Sequence, residues 1–527
     1  MLTDALREWR EALGGDRVVC DPAQLAAAGT ATFRTSQKIP LILRPENHEH
    51  VCRIVRIANR YRVPVYPVSS GKNWGYGSRI PVVSGCAMVD LSGMKQIVDF
   101  SERLGYVTVQ PGVTQQRLFD FLAAKKSKLW MDATGASPAC SLIGNAMERG
   151  FGHTPYGDHF AQVCALEVVL PNGETITTGF AGRPGAKAGK VYRWGAGPSL
   201  DGLFSQANFG IVTAMTVWLM PAPEYFQAFF FQSDREDGLA AIVDALRPLR
   251  MDGTLRSAIH IANDYKVLAG IQQFPSGETQ PLRPERMAEL RRQLKFTRWS
   301  GSGALYGTRA QVAEARRLLR NALKPAAGRL RFLDDRMLKT ASRFTGLYRM
   351  ITGLDLSRTL DLVKPVYGLL RGVPTQQPLG SAYWRKSIPV PPDPDPDRDG
   401  CGLIWTAPVA PMEGEHAARL AHIVERRLLQ HGFEPMITVT LLTERAIACV
   451  VSITYDREKP GEDDKAMKCY LELHAELESE GYYAYRVATP ALPQPVAGDA
   501  YGMLLKDIRT ALDPNDILAP GRYVPRV

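Results

Sequence analysis

Between residues 40 and 220 short β-branched runs such as "VPVYPVSSG", "YVTVQPG" and "CALEVVLPNGETITTG" alternate with short helical patterns such as "HEHVCRIVRIANRY". The turns between them are dense in glycine. Such alternation restricts this half of the chain to a layered α+β or α/β unit. One run, Val63 to Val68, leads into "SSGKNWGYGS", residues 69 to 78, where Gly71, Gly75 and Gly77 surround a lysine, a tryptophan and a tyrosine. Glycine permits close backbone approach, so the amides of such a loop can converge on one anion, with Ser69, Ser70 and Asn73 adding side-chain donors. A diphosphate grip and a plain hairpin connection both fit the loop taken alone.

The spacing excludes two common nucleotide sites. A doubly wound dinucleotide turn needs glycines at its first, third and sixth positions; "GAGPSL", from Gly195, has Leu200 at the sixth and Pro198 inside the turn. No Gly-Lys-Ser/Thr follows a phosphate-loop spacing either. A second glycine-rich stretch, "TGASPACSLIGNAMERGFGHTPYGDHF" (134 to 160), shows little apolar periodicity after Asn145. A loop of that length is costly to order without something to wrap. A third, "LFSQANFGIVTAMTVWLMP", sets Gly210 just before a β-branched strand.

The chain has 527 residues, enough for two or three domains. "WLMPAPEYF" reads as an exit from the first. From 224 to 476 longer helices such as "TRAQVAEARRLLRNAL" alternate with strands, and the last fifty residues return to the first style, ending in "ALDPNDILAPGRYV". The divisions are therefore 1–223, 224–476 and 477–527, the last completing the first. "PVPPDPDPDRDG" (389 to 400) is expected to be a solvated loop; its Asp395, Asp397 and Asp399 mimic a calcium loop, but Thr406 stands where the closing glutamate belongs.

The net charge of +10 comes from basic residues spread through the chain, and the dense patch Arg316 to Arg331 has the spacing of a solvated helix face, so no nucleic-acid partner is expected. The eight cysteines are scattered without a C-x-x-C pair or a nearby histidine cluster, which implies free buried thiols and no metal site. "MLTDALREWREALGG" reads as an amphipathic surface helix, not an export signal, and no apolar run reaches bilayer-spanning length. The expected location is cytoplasmic.

"GKNWGYGS", "IGNAMERGFGHTPYGDH", "FSQANFGIVT" and "DPNDILAPGR", in this order, resemble the motifs of the vanillyl-alcohol oxidase and p-cresol methylhydroxylase family of flavoproteins, over most of the chain from about residue 40 onward. The resemblance implies an α+β fold: a two-lobed FAD-binding domain of the p-cresol methylhydroxylase type and an α+β cap with an antiparallel sheet flanked by helices. It implies FAD contacts from Ser69, Ser70, Gly71, Lys72, Asn73, Gly75, Tyr76, Gly77 and Ser78. Further contacts come from Gly135, Ser137, Ser141, Gly144, Asn145, Gly150, Gly152, His153, Tyr156 and Gly157, and from Gly210, Ile211, Val212 and Arg522.

Members of this branch oxidise para-substituted phenols. Ionising the phenol pushes electron density to the para position, so hydride can leave the benzylic carbon for the flavin N5, giving a quinone methide. The resemblance assigns the phenolate grip to Tyr76, Tyr485 and Arg486, and places Arg522 beside the flavin N1 and C2 carbonyl. It also implies a homodimer, a small aromatic substrate, and dioxygen or cytochrome c as electron acceptor.

Several residues depart from the family pattern. Cys401 and Gly402 occupy the stretch that carries a flavin-linked histidine in the oxidase prototype, which excludes a histidyl link there. Tyr383 in "SAYWRKS" could form a tyrosyl link, with non-covalent FAD favoured. Ile447, Ala448 and Cys449 replace a Met-His-His run, implying a more apolar, roomier pocket. Asp132 lies too far upstream to act as the base, and His153 reads as a polar residue hydrogen-bonded within the cofactor loop. Two other readings stay open: the same fold oxidising a non-phenolic alcohol or other metabolite, and a flavin-free binding or scaffold protein.

Overall fold

A computed structural model describes residues 1–343, 356–492, 499–524 and 526. The amphipathic N-terminal helix Leu2–Leu13 buries Ala5, Trp9 and Leu13, and the Trp9 indole N–H donates to the Ile54 carbonyl of the helix His48–Tyr61 at 3.2 Å. The strand leading into the glycine loop is Val65–Val68, shorter than the run predicts. It pairs in parallel with Ala87–Asp90, which pairs in parallel with Ile42–Leu43; Val18–Val19 closes this four-stranded sheet antiparallel. The other edge of Val65–Val68 is met by the C-terminal segment: the Val65 N–H donates to the Ile517 carbonyl at 2.8 Å, and the Ala519 N–H to the Val65 carbonyl at 2.8 Å. The end of the chain is thus tied to the strand that launches the loop.

A second, antiparallel sheet runs Ile97–Ser101, Tyr106–Val109, Ile211–Trp218, Val163–Val169, Thr175–Thr177. Within the glycine-rich segment the chain makes one short helix, Leu142–Met147, whose first turn is capped by the Ser141 hydroxyl accepting the Gly144 N–H at 3.0 Å.

The third sheet, of eight antiparallel strands, belongs to the middle of the chain. Its path is Arg329–Leu333, Tyr225–Ser233, Trp299–Gly307, Ile259–Asn263, Met436–Leu441, Ala446–Asp456, Cys401–Thr406, with Val409–Pro411 beside Ala446–Asp456. Because side chains alternate along a strand, its two faces have different fates. Ile259, Ile261, Ile437, Val439, Leu441, Ile447, Cys449, Val451, Ile453 and Ile404 point into a core shared with the helices Gly238–Met251, Arg309–Leu323, Gly414–Gln430 and Glu462–Ser479. His260, Thr438, Thr440, Val450, Leu403 and Trp405 point the other way and roof a cavity.

Two expectations are corrected here. The 389–400 segment is not a solvated loop: Asp397 is buried and its carboxylate accepts the Ser78 hydroxyl at 2.7 Å, Asp395 pairs with Lys72 at 2.6 Å, and Asp399 accepts the Tyr383 hydroxyl at 2.6 Å. The acidic run fastens the glycine loop to the cap, which its composition could not reveal. None of Ile447, Ala448 and Cys449 lines the cavity: Ile447 and Cys449 point into the core, Ala448 is fully buried on the opposite face, and from the strand Ala446–Asp456 Val450 alone lines the cavity. All eight cysteines are free, and Cys20 alone is exposed. No described helix is long and apolar enough to cross a membrane.

Candidate active site

The cavity, about 430 Å³, lies between the glycine loop and the cap sheet, in the size range of small-molecule and cofactor sites. Of the residues expected to hold a cofactor, Ser69, Ser70, Gly71, Lys72, Asn73, Tyr76, Ser78, Gly135, Ser141, Gly144, Asn145, Gly150, His153, Gly210, Ile211, Val212 and Arg522 line it. Gly75, Gly77, Ser137, Gly152, Tyr156 and Gly157 do not. The two loop glycines have packing reasons instead. With φ of 77° and 117°, a Cβ on Gly75 would meet the Trp405 ring at 2.9 Å and one on Gly77 would meet the Thr489 side chain at 2.8 Å. The loop is pressed between the cap and the C-terminal segment, and glycine lets it pass. Gly152 lies against the Asp132 carboxylate, Ser137 accepts from the Gln115 amide with its carbonyl at 2.7 Å, and the Lys72 ammonium is already paired with Asp395.

At one end of the cavity three sequence-predicted residues converge. The Arg486 guanidinium lies 4.5 Å from the centre of the Tyr76 ring and donates to the Asn73 side-chain carbonyl. The Tyr485 ring packs on Phe151, centroids 5.9 Å apart. Burial raises the pKa of both Tyr76 and Tyr485, with the Arg486 charge opposing it, so both hydroxyls keep their protons as donors.

The charge balance comes from Glu148, which sequence reasoning missed. Its carboxylate accepts from Arg522 Nη2 at 2.8 Å and from the Tyr523 hydroxyl at 2.8 Å, and lies 3.4 Å from Arg486 Nε. Burial works against its ionisation, but Arg522 and Arg486 together hold its pKa below the ordinary carboxylate value. One carboxylate thus serves two guanidiniums and leaves the site net positive. Its signal was a lone acid in "GNAMERGFG", a segment with no other reason to carry one.

The other missed group is His260. Its ring lies 4.4 Å from that of His153 and 6.3 Å from that of Phe151, and its Nδ1 meets the Thr440 hydroxyl at 3.0 Å. His153 Nδ1 donates to the Ala133 carbonyl at 3.1 Å. Burial, followed for His260 by the neighbouring His153, keeps both imidazoles below their ordinary pKa and so uncharged. The pocket is therefore more polar than the lost Met-His-His run implied. Its imidazoles come from other positions, and His260 was legible only as the polar member of the alternation in "AIHIAN". Asp132 is not free to act as a base: it accepts the backbone N–H groups of His153 and Thr154, and its other oxygen meets His159 Nε2 at 2.6 Å. Tyr383 is fully buried with Trp74 and Cys401 and does not line the cavity.

The buried polar atoms around this cavity are unusually short of partners. Arg522 Nη1, Arg486 Nε, His260 Nε2, Trp74 Nε1 and Trp405 Nε1 have none among the described residues. Protein interiors rarely leave such atoms unpaired, so the cavity suits a polar guest. Main-chain amides of the glycine loop and two guanidiniums along one cavity suit an anionic, flat cofactor.

A family profile described as an FAD binding domain matches residues 39–179. The chain is 43% identical to 1'-carboxy-chondrochloren decarboxylase of Chondromyces crocatus, across 99% of this chain and 97% of that protein. It is 32% identical to the 4-cresol dehydrogenase [hydroxylating] flavoprotein subunit of Pseudomonas putida, across 98% of this chain and 94% of that protein. The chain belongs to the p-cresol methylhydroxylase family of FAD-dependent oxidoreductases. Within that family its fold matches 4-ethylphenol oxidase from Gulosibacter chungangensis with a TM-score of 0.90 at 28% identity, covering 100% of this chain and 97% of that one. The family fold accounts for the antiparallel cap sheet over a glycine-lined cavity.

Proposed function

We propose that the protein oxidises a para-substituted phenol at its benzylic carbon. The observation that carries this reading is the cluster of Tyr76, Tyr485 and Arg486: two protonated hydroxyls and one permanent cation converging at one end of the cavity. Such a set stabilises an oxyanion, and a phenolate is the oxyanion that a flat, apolar-walled pocket beside Phe151 and Trp405 would take. Residues 1–223 and 477–527 form the cofactor unit in this reading, and 224–476 the cap.

FAD would be held by the main chain of residues 69 to 73, by Ser69 and Asn145, and by Arg522 toward its ring. When bound, it supplies the two-electron oxidant. The chain's own contribution is to draw the proton from the phenol: hydrogen bonds from Tyr76 and Tyr485 and the charge of Arg486 lower the phenol's pKa. The electron-rich ring then releases its benzylic hydrogen with the bonding pair. The cap sheet excludes water until the quinone methide has formed. His153 and His260, both uncharged, stand by to accept a proton from water adding to that product. When the substituent carries a carboxylate next to the benzylic carbon, loss of CO2 returns the electron pair and yields an alkene instead. The name of the 43% identical relative favours that second fate.

The FAD is non-covalent in this reading, because the Tyr383 hydroxyl is engaged by Asp399 outside the cavity. Anaerobic mixing of the purified flavoprotein with 4-ethylphenol tests the function. The flavin absorbance should bleach, while the methyl ether of the same compound, which cannot ionise, should leave it unchanged. Equal bleaching by both compounds, or by neither, rejects the proposal.

A further inference from the structure

The helix Asp264–Ile271 follows directly on the cap strand Ile259–Asn263 and reads "DYKVLAGI", a lysine among apolar residues. Lys266 lines the cavity, and its ammonium donates to the Ser381 hydroxyl at 2.8 Å. That hydroxyl in turn donates to the Pro378 carbonyl at 3.0 Å. Among the described residues no carboxylate pairs with Lys266. The fully buried cations differ: Lys386 meets Asp456 and Glu458, Arg385 meets Glu434, Arg509 meets Asp513, Arg522 meets Glu148, and Arg250 is wrapped by backbone carbonyls. Lys266 is half-buried, and an ammonium at a cavity wall with one hydroxyl neighbour and no carboxylate partner is open to an anion. Burial alone pushes its pKa down to about 8, which leaves most of it charged at neutral pH.

Its place in the cavity decides what that anion is. Proceeding from the phenolate end, Tyr485 packs on Phe151 and Phe151 on His260, which stands beside His153. A point at the Gly135 Cβ position lies 3.7 Å from His153 and 3.4 Å from Pro378, the residue that precedes Ser381 by one turn. Ser381 and Pro378 thus join Lys266 to the imidazole side of the cavity. A phenol held at Arg486 would extend its para substituent along this path. We propose that Lys266 docks a carboxylate on that substituent, so that the substrates are phenolic acids rather than neutral alkylphenols. This assignment rests on the phenol reading above and narrows it.

Two dead-end ligands test it without turnover: (4-hydroxyphenoxy)acetate and its carboxamide, in which an ether oxygen replaces the benzylic carbon. Dissociation constants are read from perturbation of the flavin spectrum of the holoenzyme. The acid should bind tenfold or more tightly than the amide at pH 7. In Lys266→Met that ratio should fall to one or below, and Lys266→Arg should restore most of it. Equal binding of acid and amide by the unaltered protein overturns the inference, as does a preference that survives in Lys266→Met. Weakened FAD retention in Lys266→Met with the ratio intact would assign the lysine to the cofactor and also overturn it. The phenol reading fails separately: if no phenol bleaches the flavin but the acid preference holds, the anion site stands and the oxidation proposal falls.

Discussion

Replacing Arg486 by methionine removes the only permanent cation assigned to the substrate hydroxyl while keeping the volume of the side chain. The guanidinium lies 4.5 Å from the Tyr76 ring centre with its side chain 11% exposed, so a phenolate oxygen beside Tyr76 would sit about 4 Å from the charge. At an effective dielectric of about 20 that separation is worth roughly 4 kcal/mol, and a charge-assisted hydrogen bond adds of order 1.5–3 kcal/mol. Part of this is lost to desolvation of the arginine, so a net loss of about 3 kcal/mol, or roughly 150-fold, is expected in kcat/KM. Glu148 remains paired with Arg522 and Tyr523, which separates the functional loss from collapse of the site. The assay is anaerobic stopped-flow reduction of the flavin by 4-ethylphenol between pH 6 and 10. The variant should also move the apparent phenol pKa upward by about two units, because the charge that stabilised the ionised form is gone. A variant that reduces its flavin within threefold of the parent rate, with an unshifted pH profile, refutes the assignment.

Three other outcomes follow from the geometry. Glu148→Gln leaves two buried guanidiniums without their carboxylate and should cost about 3–5 kcal/mol in denaturant unfolding of the holoprotein; a change below 1 kcal/mol would contradict the shared-anion arrangement. Acid precipitation should leave the yellow colour in the supernatant for both the parent and Tyr383→Phe, because the Tyr383 hydroxyl is bound to Asp399; colour in the parent pellet that disappears in the variant would reverse this. Burial pushes the Asp397 pKa up from 3.8 to about 7. A carboxyl whose folded pKa is raised loses its contribution to stability as pH climbs through that window. Asp397→Asn should therefore raise Tm at pH 8 and flatten the decline between pH 5 and 8, on the scale of about 2–4 kcal/mol; an unchanged pH dependence would show the group is not titrating there.

The glycine-rich wall of the cavity was legible because close backbone approach to an anion demands glycines and small polar residues along one contiguous stretch, and residues 69 to 78 and 134 to 160 are such stretches. Those loops also show where composition misleads: Gly75 and Gly77 serve the packing of Trp405 and Thr489, and Lys72 is neutralised by an aspartate more than three hundred residues away. Distance along the chain hides such pairs from any local reading.

Local pattern by itself determined the alternating α+β architecture, the amphipathic helices and the glycine loops, since these depend on periodicity and on backbone freedom within a few residues. Only the tertiary structure decided which face of each cap strand meets the cavity. Ile447 and Cys449 fall into the core while His260 and Val450 reach the site, because a strand's alternation assigns neighbours to opposite faces but cannot say which face a distant loop will cover.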